Sequence, residues 1–355
     1  MDPHRTRRPV GATRPILLIL HISDFDYELP EDRIAQTPIE PRDAARLLVD
    51  AGDHLLHRHV RDITDHLRPG DVLVVNDTRV IPARLRLRRV TGGSVEILLL
   101  EAGDESMWSA LVKPAAKLRP DEVLLDHDGS PVATFIGRRS DGDTFDVRLH
   151  DDGRPMELLD RIGEMPLPPY ITNDSGATER YQTVYSRRPA SAAAPTAGLH
   201  FTPDLLRRIE AMDVVIARVE LVVGLDTFRP ISTEDPVKHP MHSELYSVPD
   251  ATLDAIQRAS RVVAVGTTAV RALESARTFG RTSGRTNLFI HRGYEWKVVD
   301  VMMTNFHMPR TTLLMMIDAF IGPSWRMIYR EALDRGYRFL SFGDAMLLDR
   351  HAHDH

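Results

Sequence analysis

The chain has 355 residues, enough for a large core and two domains. It contains no cysteine, which excludes disulfides, thiol nucleophiles and cysteine-ligated zinc. Its 45 Lys and Arg stand against 51 Asp and Glu, a net charge of −6, so any nucleic-acid contact must be a local basic patch.

Residues 1–22 carry Arg5, Arg7, Arg8 and Arg14 ahead of the apolar run Ile16–Leu20. That run is too short to span a bilayer, and no small-residue cleavage site follows it. The segment is expected to be a disordered extension and the protein to be cytoplasmic. From Phe25 to Leu67 the sequence is mixed and charged, with a helix expected around Ala44 to Asp50. Between Val72 and Leu149 it becomes β-rich, in short runs such as "ARLRLRRV", "SVEILLLE" and "TFDVRLH". The pairs Gly92-Gly93, Asp128-Gly129 and Asp141-Gly142 suit hairpin turns, and strands at this spacing point to a small barrel. After "MPLPPYI" (Met165 to Ile171) strands alternate with helices. The fold class expected is therefore α/β: an open α/β sheet domain, residues 23–68 and 155–355, interrupted by an inserted small β-barrel domain, residues 69–154.

The α/β region holds three similar junctions. "VVAVGTTAVRALESA" reads as a buried strand, then Gly266-Thr267-Thr268, then a helix. "VVDVMMTNFHMPRTTLLMMIDAFIG" reads as a strand to Thr304, a loop with Asn305 and His307, and a helix from about Thr312. "VVIARVELVVGLDTFRP" is a strand running into Gly224 and Thr227. Ligands of open α/β sheets sit beyond the carboxyl ends of the strands, where such loops gather. A further stretch, "AAPTAGLHFTPDLL", sets Thr196, Gly198 and His200 ahead of a helix capped by Thr202 with Pro203 at its first position. It reads either as a ligand-facing loop or as a tight turn with a packed histidine.

These stretches, with "VVNDTRVIPARL", "ERYQTVYS" and "MHSE", resemble in kind and order the S-adenosylmethionine:tRNA ribosyltransferase-isomerase family of queuosine biosynthesis. The resemblance runs from Ser23 to Leu348. It implies an α/β domain interrupted by a barrel. It also implies that S-adenosylmethionine gives up its ribosyl group to the aminomethyl group of a 7-deazaguanine in tRNA, yielding epoxyqueuosine-tRNA with loss of adenine and methionine. No metal or redox cofactor is implied. The expected partners are S-adenosylmethionine and tRNA with a G-U-N anticodon, with no membrane, and the protein is expected to be a monomer.

That chemistry wants acid/base groups near neutral pH. A base must remove the proton beside the sulfonium, the departing adenine gains from protonation, and the attacking amine must be neutral. Among 16 histidines, His200, His307 and the pair His242/Glu244 lie in family motifs and are the candidates. For binding, Gly266, Thr267 and Thr268 can offer amides and hydroxyls to the methionine carboxylate, with Arg271 one turn further on. Asn76, Asp77, Thr78 and Arg79 could form a turn, contact the ribose or hold the two domains together. Arg180, Tyr181, Gln182 and Tyr185 offer a cation, an amide and stacking rings for a nucleotide. Thr196, Gly198, Gly224, Thr227 and Asn305 complete the substrate-binding set. Arg84, Arg86 and Arg88 alternate on one strand face and, with Lys113 and Lys117, form the expected nucleic-acid surface.

The chain departs from the family pattern in places. Val222-Val223-Gly224-Leu225-Asp226-Thr227-Phe228 stands where His-Val-Gly-Ala-Gly-Thr-Phe is common, Ala115 and Ala116 replace Gly and Lys, and Arg292 replaces a proline. Two other readings therefore stay open: the same chemistry on a free 7-deazapurine, or a catalytically silent RNA-binding module.

Overall fold

The computed structural model describes residues 20–140, 144–173, 177–224, 231, 233–239, 241 and 243–352. The expected Asp141-Gly142 turn and most of the N-terminal extension lie outside them. In chain order, β1 (Arg46–Asp50), β2 (Leu55–His59) and β3 (Asp71–Asn76) open a large sheet, and β4 (Thr78–Val80) leads out of it. There follow β5 (Arg84–Arg89), β6 (Ser94–Ala102), β7 (Met107–Lys113), β8 (Glu122–Leu125), β9 (Pro131–Arg138) and β10 (Phe145–Leu149). Helix α1 (Pro155–Ile162), β11 (Gly163–Glu164), α2 (Ala177–Arg180) and β12 (Arg188–Ser191) lead back. The chain then runs through α3 (Pro203–Glu210), β13 (Val215–Leu221), β14 (Glu244–Ser247), α4 (Asp250–Arg258) and β15 (Arg261–Val265). It ends with α5 (Thr267–Phe279), β16 (Ser283–Thr286), β17 (Val301–Asn305), α6 (Thr312–Ile321), α7 (Trp325–Asp334) and β18 (Ala345–Asp349).

The large sheet has nine strands in the order β16-β14-β13-β3-β15-β17-β18-β1-β2. Its centre, β13, β3, β15 and β17, is parallel. Both faces are covered, as a parallel centre requires. Val72, Val74, Ala264 and Met302 pack in one apolar layer with α5, α6 and α7. Leu73, Val75, Val263, Val265 and Met303 pack in the other, with α3. The second unit is a barrel of six antiparallel strands, β5-β6-β7-β10-β9-β8, closed by Arg88 and Arg89 of β5 pairing with Leu125 and Leu124 of β8.

Two expectations are corrected. Residues 46–50 form a strand, where a helix was expected, because Leu48 faces one apolar layer and Leu47 and Val49 the other. A short run apolar on both sides does not separate helix from buried strand. The boundary expected at residue 69 also moves. β3 lies at the heart of the large sheet between β13 and β15. The barrel continues past 154, since Leu158 and Leu159 of α1 sit in its core and β11 pairs with β5.

One buried carboxylate ties α5 to the chain entering β17. Glu274 of α5 is 0 % exposed. It accepts hydrogen bonds from Tyr294 Oη at 2.9 Å and from the amides of Lys297, Val298 and Val299 at 3.1, 3.0 and 3.0 Å. It thereby holds the turn that enters β17. Glu274→Ala strands these donors in the interior. Urea unfolding should show a loss of about 3 kcal/mol or more, and a change under about 1 kcal/mol would refute this role.

Candidate active site at the carboxyl edge of the sheet

Because the four central strands run the same way, their carboxyl ends gather on one edge. There a cleft of about 610 Å³ opens, lined among others by Thr196, Gly266, Thr267, Thr268, Asn305 and His307. Two of the three junctions meet there together with Thr196 of the fourth stretch, and the third reaches the cleft through Val223, not through Gly224. Among the described residues, none of those lining it carries a carboxylate, an ammonium or a guanidinium group. The group of Asp126, His127 and Asp128, whose ligand atoms are close enough to hold a metal, lies in the turn between β8 and β9 and does not line the cleft.

The sequence explains each wall. Gly266 has φ +86°, left-handed backbone that turns the chain from β15 into α5. That helix is thirteen residues long, and its amino end opens beside the cleft with Thr267 and Thr268 at its start. The Thr268 hydroxyl is buried without a hydrogen-bond partner. Thr196 Oγ1 donates to Asn305 Oδ1 at 2.9 Å, and Asn305 Nδ2 donates to the Leu340 carbonyl at 3.1 Å, so three separate loops are tied at one amide.

His307 is 8 % exposed. Its Nε2 lies 3.1 Å from Thr304 Oγ1, its amide donates to Tyr329 Oη at 3.0 Å, and its carbonyl accepts from Tyr27 Oη. Burial pushes its pKa from 6.5 down to about 3, so it is a neutral hydrogen-bonding imidazole at pH 7, a poor proton donor. Tyr170 and Ser341 also line the cleft and bond to one another at 2.7 Å. They sit in "MPLPPYI" and "YRFLSFGDAMLL" but were not among the expected site residues, since nothing in their own spacing marks them.

Other expected residues are placed elsewhere. His200 is 4 % exposed, with Nδ1 3.0 Å from the Ala197 carbonyl and Nε2 2.9 Å from the Gly343 carbonyl. It lines a smaller pocket of about 260 Å³ together with Arg180 and Arg42. Burial lowers its pKa, and its bonds make it a packed histidine, so the ligand-facing reading is corrected. Gly198 does permit a close approach, but by protein: an added Cβ would lie 1.9 Å from Tyr185 Oη. Tyr181 and Tyr185 are buried, Tyr181 edge-on to Phe342. Gln182 bonds both backbone groups of Val80 at 3.1 Å, as a neighbouring strand would. Arg180 pairs with Glu40. Asn76 bonds the Leu221 carbonyl and amide and the Thr78 amide, while Asp77 pairs with Arg218 at 3.6 Å. With Thr78 buried and Arg79 exposed, this stretch joins the units; it does not touch the cleft. His242 and Thr227 lie outside the described residues.

A second, larger cleft of about 1330 Å³ runs between barrel and sheet, lined by Glu101, Trp108, Val222, Gly224, Glu244 and Arg285 among others. The Arg285 guanidinium meets Glu101 through two bonds of 2.6 and 3.0 Å across it. Arg271 does not reach either cleft; it forms a buried ion pair with Glu244.

Residues 22–348 match the family model described as queuosine biosynthesis protein. The chain belongs to that family. It is 50 % identical over 341 residues to the S-adenosylmethionine:tRNA ribosyltransferase-isomerase of Symbiobacterium thermophilum, covering 93 % of this chain and 100 % of that protein. It is 49 % identical over 344 residues to the protein of that name from Thermus thermophilus, covering 91 % and 98 %. The crystal structure of S-adenosylmethionine tRNA ribosyltransferase from Thermotoga maritima aligns with a TM-score of 0.52 at 37 % identity, over 91 % of this chain and 99 % of that one. The α/β sheet with an inserted closed barrel is thus the architecture of a family, and one departure from its pattern has a local reason here. Arg292 makes bonds of 2.9 and 2.7 Å to Asp318, a carboxylate buried in α6 that also accepts from Trp325 Nε1 at 3.1 Å.

On the barrel, Leu85 and Leu87 point inward while Arg86 and Arg88 are exposed, so the alternation expected of β5 holds. The face is less basic than its sequence. Arg86 is paired with Glu164 at 2.8 Å, Arg89 with Glu122 at 2.6 Å, and Arg84 is half-buried with Nη2 on the Leu167 carbonyl at 3.1 Å. Lys113 and Lys117 are exposed.

The buried His307 makes acid stability readable. The unfolded chain takes up its proton near pH 6.5 and the folded chain only near about 3, so stability present above 6.5 is lost as pH falls between them. From pH 6.5 to about pH 4, wild type should lose up to about 1.4 kcal/mol per pH unit more than His307→Asn in urea titrations. Parallel curves for the two proteins would show that His307 is not the group responsible.

Proposed function

We propose that this chain transfers and isomerises the ribosyl moiety of S-adenosylmethionine onto 7-aminomethyl-7-deazaguanine in tRNA, releasing adenine and methionine and forming epoxyqueuosine-tRNA. The observation that carries the reading is the uncharged cleft at the sheet's carboxyl edge, headed by the amino end of α5, in a chain that matches its family over nearly its whole length. The donor's carboxylate finds the positive end of a helix dipole and the unpartnered Thr268 hydroxyl there. The sulfonium finds no counter-ion among the described lining residues. Losing the adjacent carbon-bound proton neutralises that charge, and a site that does not stabilise the cation penalises this step less. Asn305, held by Thr196, and the neutral His307 supply hydrogen bonds that orient ribose or adenine.

The reading carries further parts: no metal or redox cofactor, tRNA with a G-U-N anticodon, a monomer, and a cytoplasmic location. No helix among the described residues is long and apolar enough to cross a membrane.

Incubating the protein with S-adenosylmethionine, with and without tRNA carrying the aminomethyl base, tests the reaction. Adenine and methionine should appear only with tRNA and without added metal. S-adenosylhomocysteine as product would mean a methyltransferase, release with the free base a small-molecule acceptor, and no release a silent RNA binder.

The exposed barrel cations should act on tRNA alone. Arg86→Ala with Arg88→Ala should lower the salt slope of tRNA binding by about one to two, with S-adenosylmethionine binding retained. An unchanged slope would leave these arginines merely solvated.

A further inference from the structure

The pocket of about 260 Å³ that contains His200 adjoins the cleft at the carboxyl edge, because Ser341 lines both. Its floor, Leu199, His200, Ser341 and Phe342, is buried, while Arg42 and Arg180 at its mouth are half-buried. Two guanidinium groups therefore stand at a space whose described lining holds no carboxylate. His200 brings no charge there, since burial lowers its pKa and both its ring nitrogens lie on carbonyls.

Arg42 lies in the short turn before β1, and its Nη1 donates to the carbonyls of Gln182 at 2.7 Å and Leu199 at 3.3 Å. Carbonyls hold a guanidinium in place without neutralising it. No described carboxylate offsets the loss of water: burial alone acts on the pKa of Arg42, and lowers it. Arg180 donates from Nη2 to the Ile39 carbonyl at 3.4 Å and pairs with Glu40, whose side chain is 70 % exposed and does not line the pocket. The Nε of Arg180 is buried with no partner. Arg338 adds a third cation. Its Nη1 donates at 3.1 Å to the carbonyl of Thr37, next to Pro38 of the pocket lining, its charge acts on His200, and its Nη2 is buried with no partner. Asp344, the buried carboxylate that also acts on His200, is already engaged through both oxygens by the amides of Arg46 and Arg338, at 2.9 and 2.8 Å.

Three cations thus gather at one pocket, and two of them keep a buried donor without an acceptor. Such donors are costly to leave unmet, and an anion supplies acceptor and countercharge together. The chain as a whole carries −6, and on the barrel Arg86 and Arg89 are tied to Glu164 and Glu122. A nucleic acid therefore needs cations that carboxylates have not already taken up, and Arg42 is one.

We propose that this pocket is a phosphate subsite. It takes a backbone phosphodiester of the bound tRNA, beside the nucleotide that enters the cleft, with Arg42 and Arg180 as its ligands and Arg338 adding to its positive field. This rests on tRNA as the acceptor in the function proposed above. A phosphate contact positions a strand without reading its sequence, so the subsite sets where the acceptor nucleotide stands.

The test is the affinity for tRNA carrying the aminomethyl base, measured across salt concentrations, with S-adenosylmethionine binding and urea stability followed alongside. Arg42→Gln keeps a donor for the two carbonyls and removes the charge. It should weaken tRNA binding by about tenfold at low salt. The salt slope should fall by about 0.7 to 0.9, the share of one phosphate contact, with S-adenosylmethionine affinity unchanged. Arg42→Lys should recover most of the slope. A folded Arg42→Gln with the wild-type slope overturns the proposal. So does weakened binding of S-adenosylmethionine in place of tRNA, which would make the pocket a site for the donor's carboxylate. If Arg42→Gln does not fold, Arg180→Gln at the pocket mouth decides by the same slope, and an unchanged value there overturns the proposal equally. Inorganic phosphate, added at constant ionic strength, separates the two sources of the anion. Phosphate that raises the Tm of wild type but not of Arg42→Gln, with equal tRNA slopes for both, would assign the pocket to a free anion and overturn the proposal. A wild type that binds no tRNA at all would overturn the function proposed above, and this subsite with it.

Discussion

The pair of Arg271 and Glu244 is the constraint on which the site's layout depends. Both side chains are almost wholly withdrawn from water, at 7 % and 8 % exposure, and each such withdrawal costs several kcal/mol. Attraction at close range offsets this only in part, because Nε and Nη2 of Arg271 remain without acceptors. An apolar pair of equal volume would cost less. What the ions do that an apolar pair would not is fasten α5 to the start of β14 and, through Glu244, to the Gly224 amide. That linkage sets where the segment Val222 to Gly224 stands, and hence the wall between the two clefts.

The barrel's position follows from topology. It is inserted between β3 and β13, which are adjacent and parallel in the sheet, so the chain leaves from the carboxyl end of β3. An insertion at that end must emerge on the edge where the cleft lies. The stem is short and tied on both sides. β12 returns parallel to β4, with Arg188 opposite Thr78, while Asn76 locks β3 to Leu221 at the end of β13. Gln182 completes the stem by imitating a strand against Val80. Polar residues that read in sequence as ribose or purine contacts are thus consumed in holding the two units at a fixed spacing.

That difference marks what was legible. Gly266, Thr268, Asn305 and His307 could be placed from sequence because each follows a buried strand at a junction whose geometry is local, and strands of one sheet bring such junctions together. His200 sits in an equally suggestive loop. One of its partners is the carbonyl of Gly343, 143 residues away, and no local pattern announces such a bond. Gly198 shows the same limit: it signals that something comes close, but only the structure shows that this is the Tyr185 ring. Residues 46–50 read as a helix in sequence because a sheet buried on both faces erases the two-residue alternation that distinguishes strands. Arg86 and Arg88 share one face, as their alternation implies, yet the charge of that face depends on Glu164, which arrives from another strand to pair with Arg86.

Charge is distributed across the two clefts in a way the chemistry can use. The cleft at the carboxyl edge presents threonines, an asparagine amide and a neutral imidazole, whereas the interdomain cleft presents Glu101, Asp146, Glu244, Arg139 and Arg285. A sulfonium donor is activated by having its charge poorly compensated, which a lining without carboxylates among the described residues provides. A carboxylate in that lining would stabilise the sulfonium through a low-dielectric interior. The carboxylate of Glu244 lies instead beyond the segment Val222 to Gly224, on the interdomain cleft, with its guanidinium partner Arg271 beside it. The buried ion pair therefore neutralises the field of Glu244 towards the cleft at the carboxyl edge.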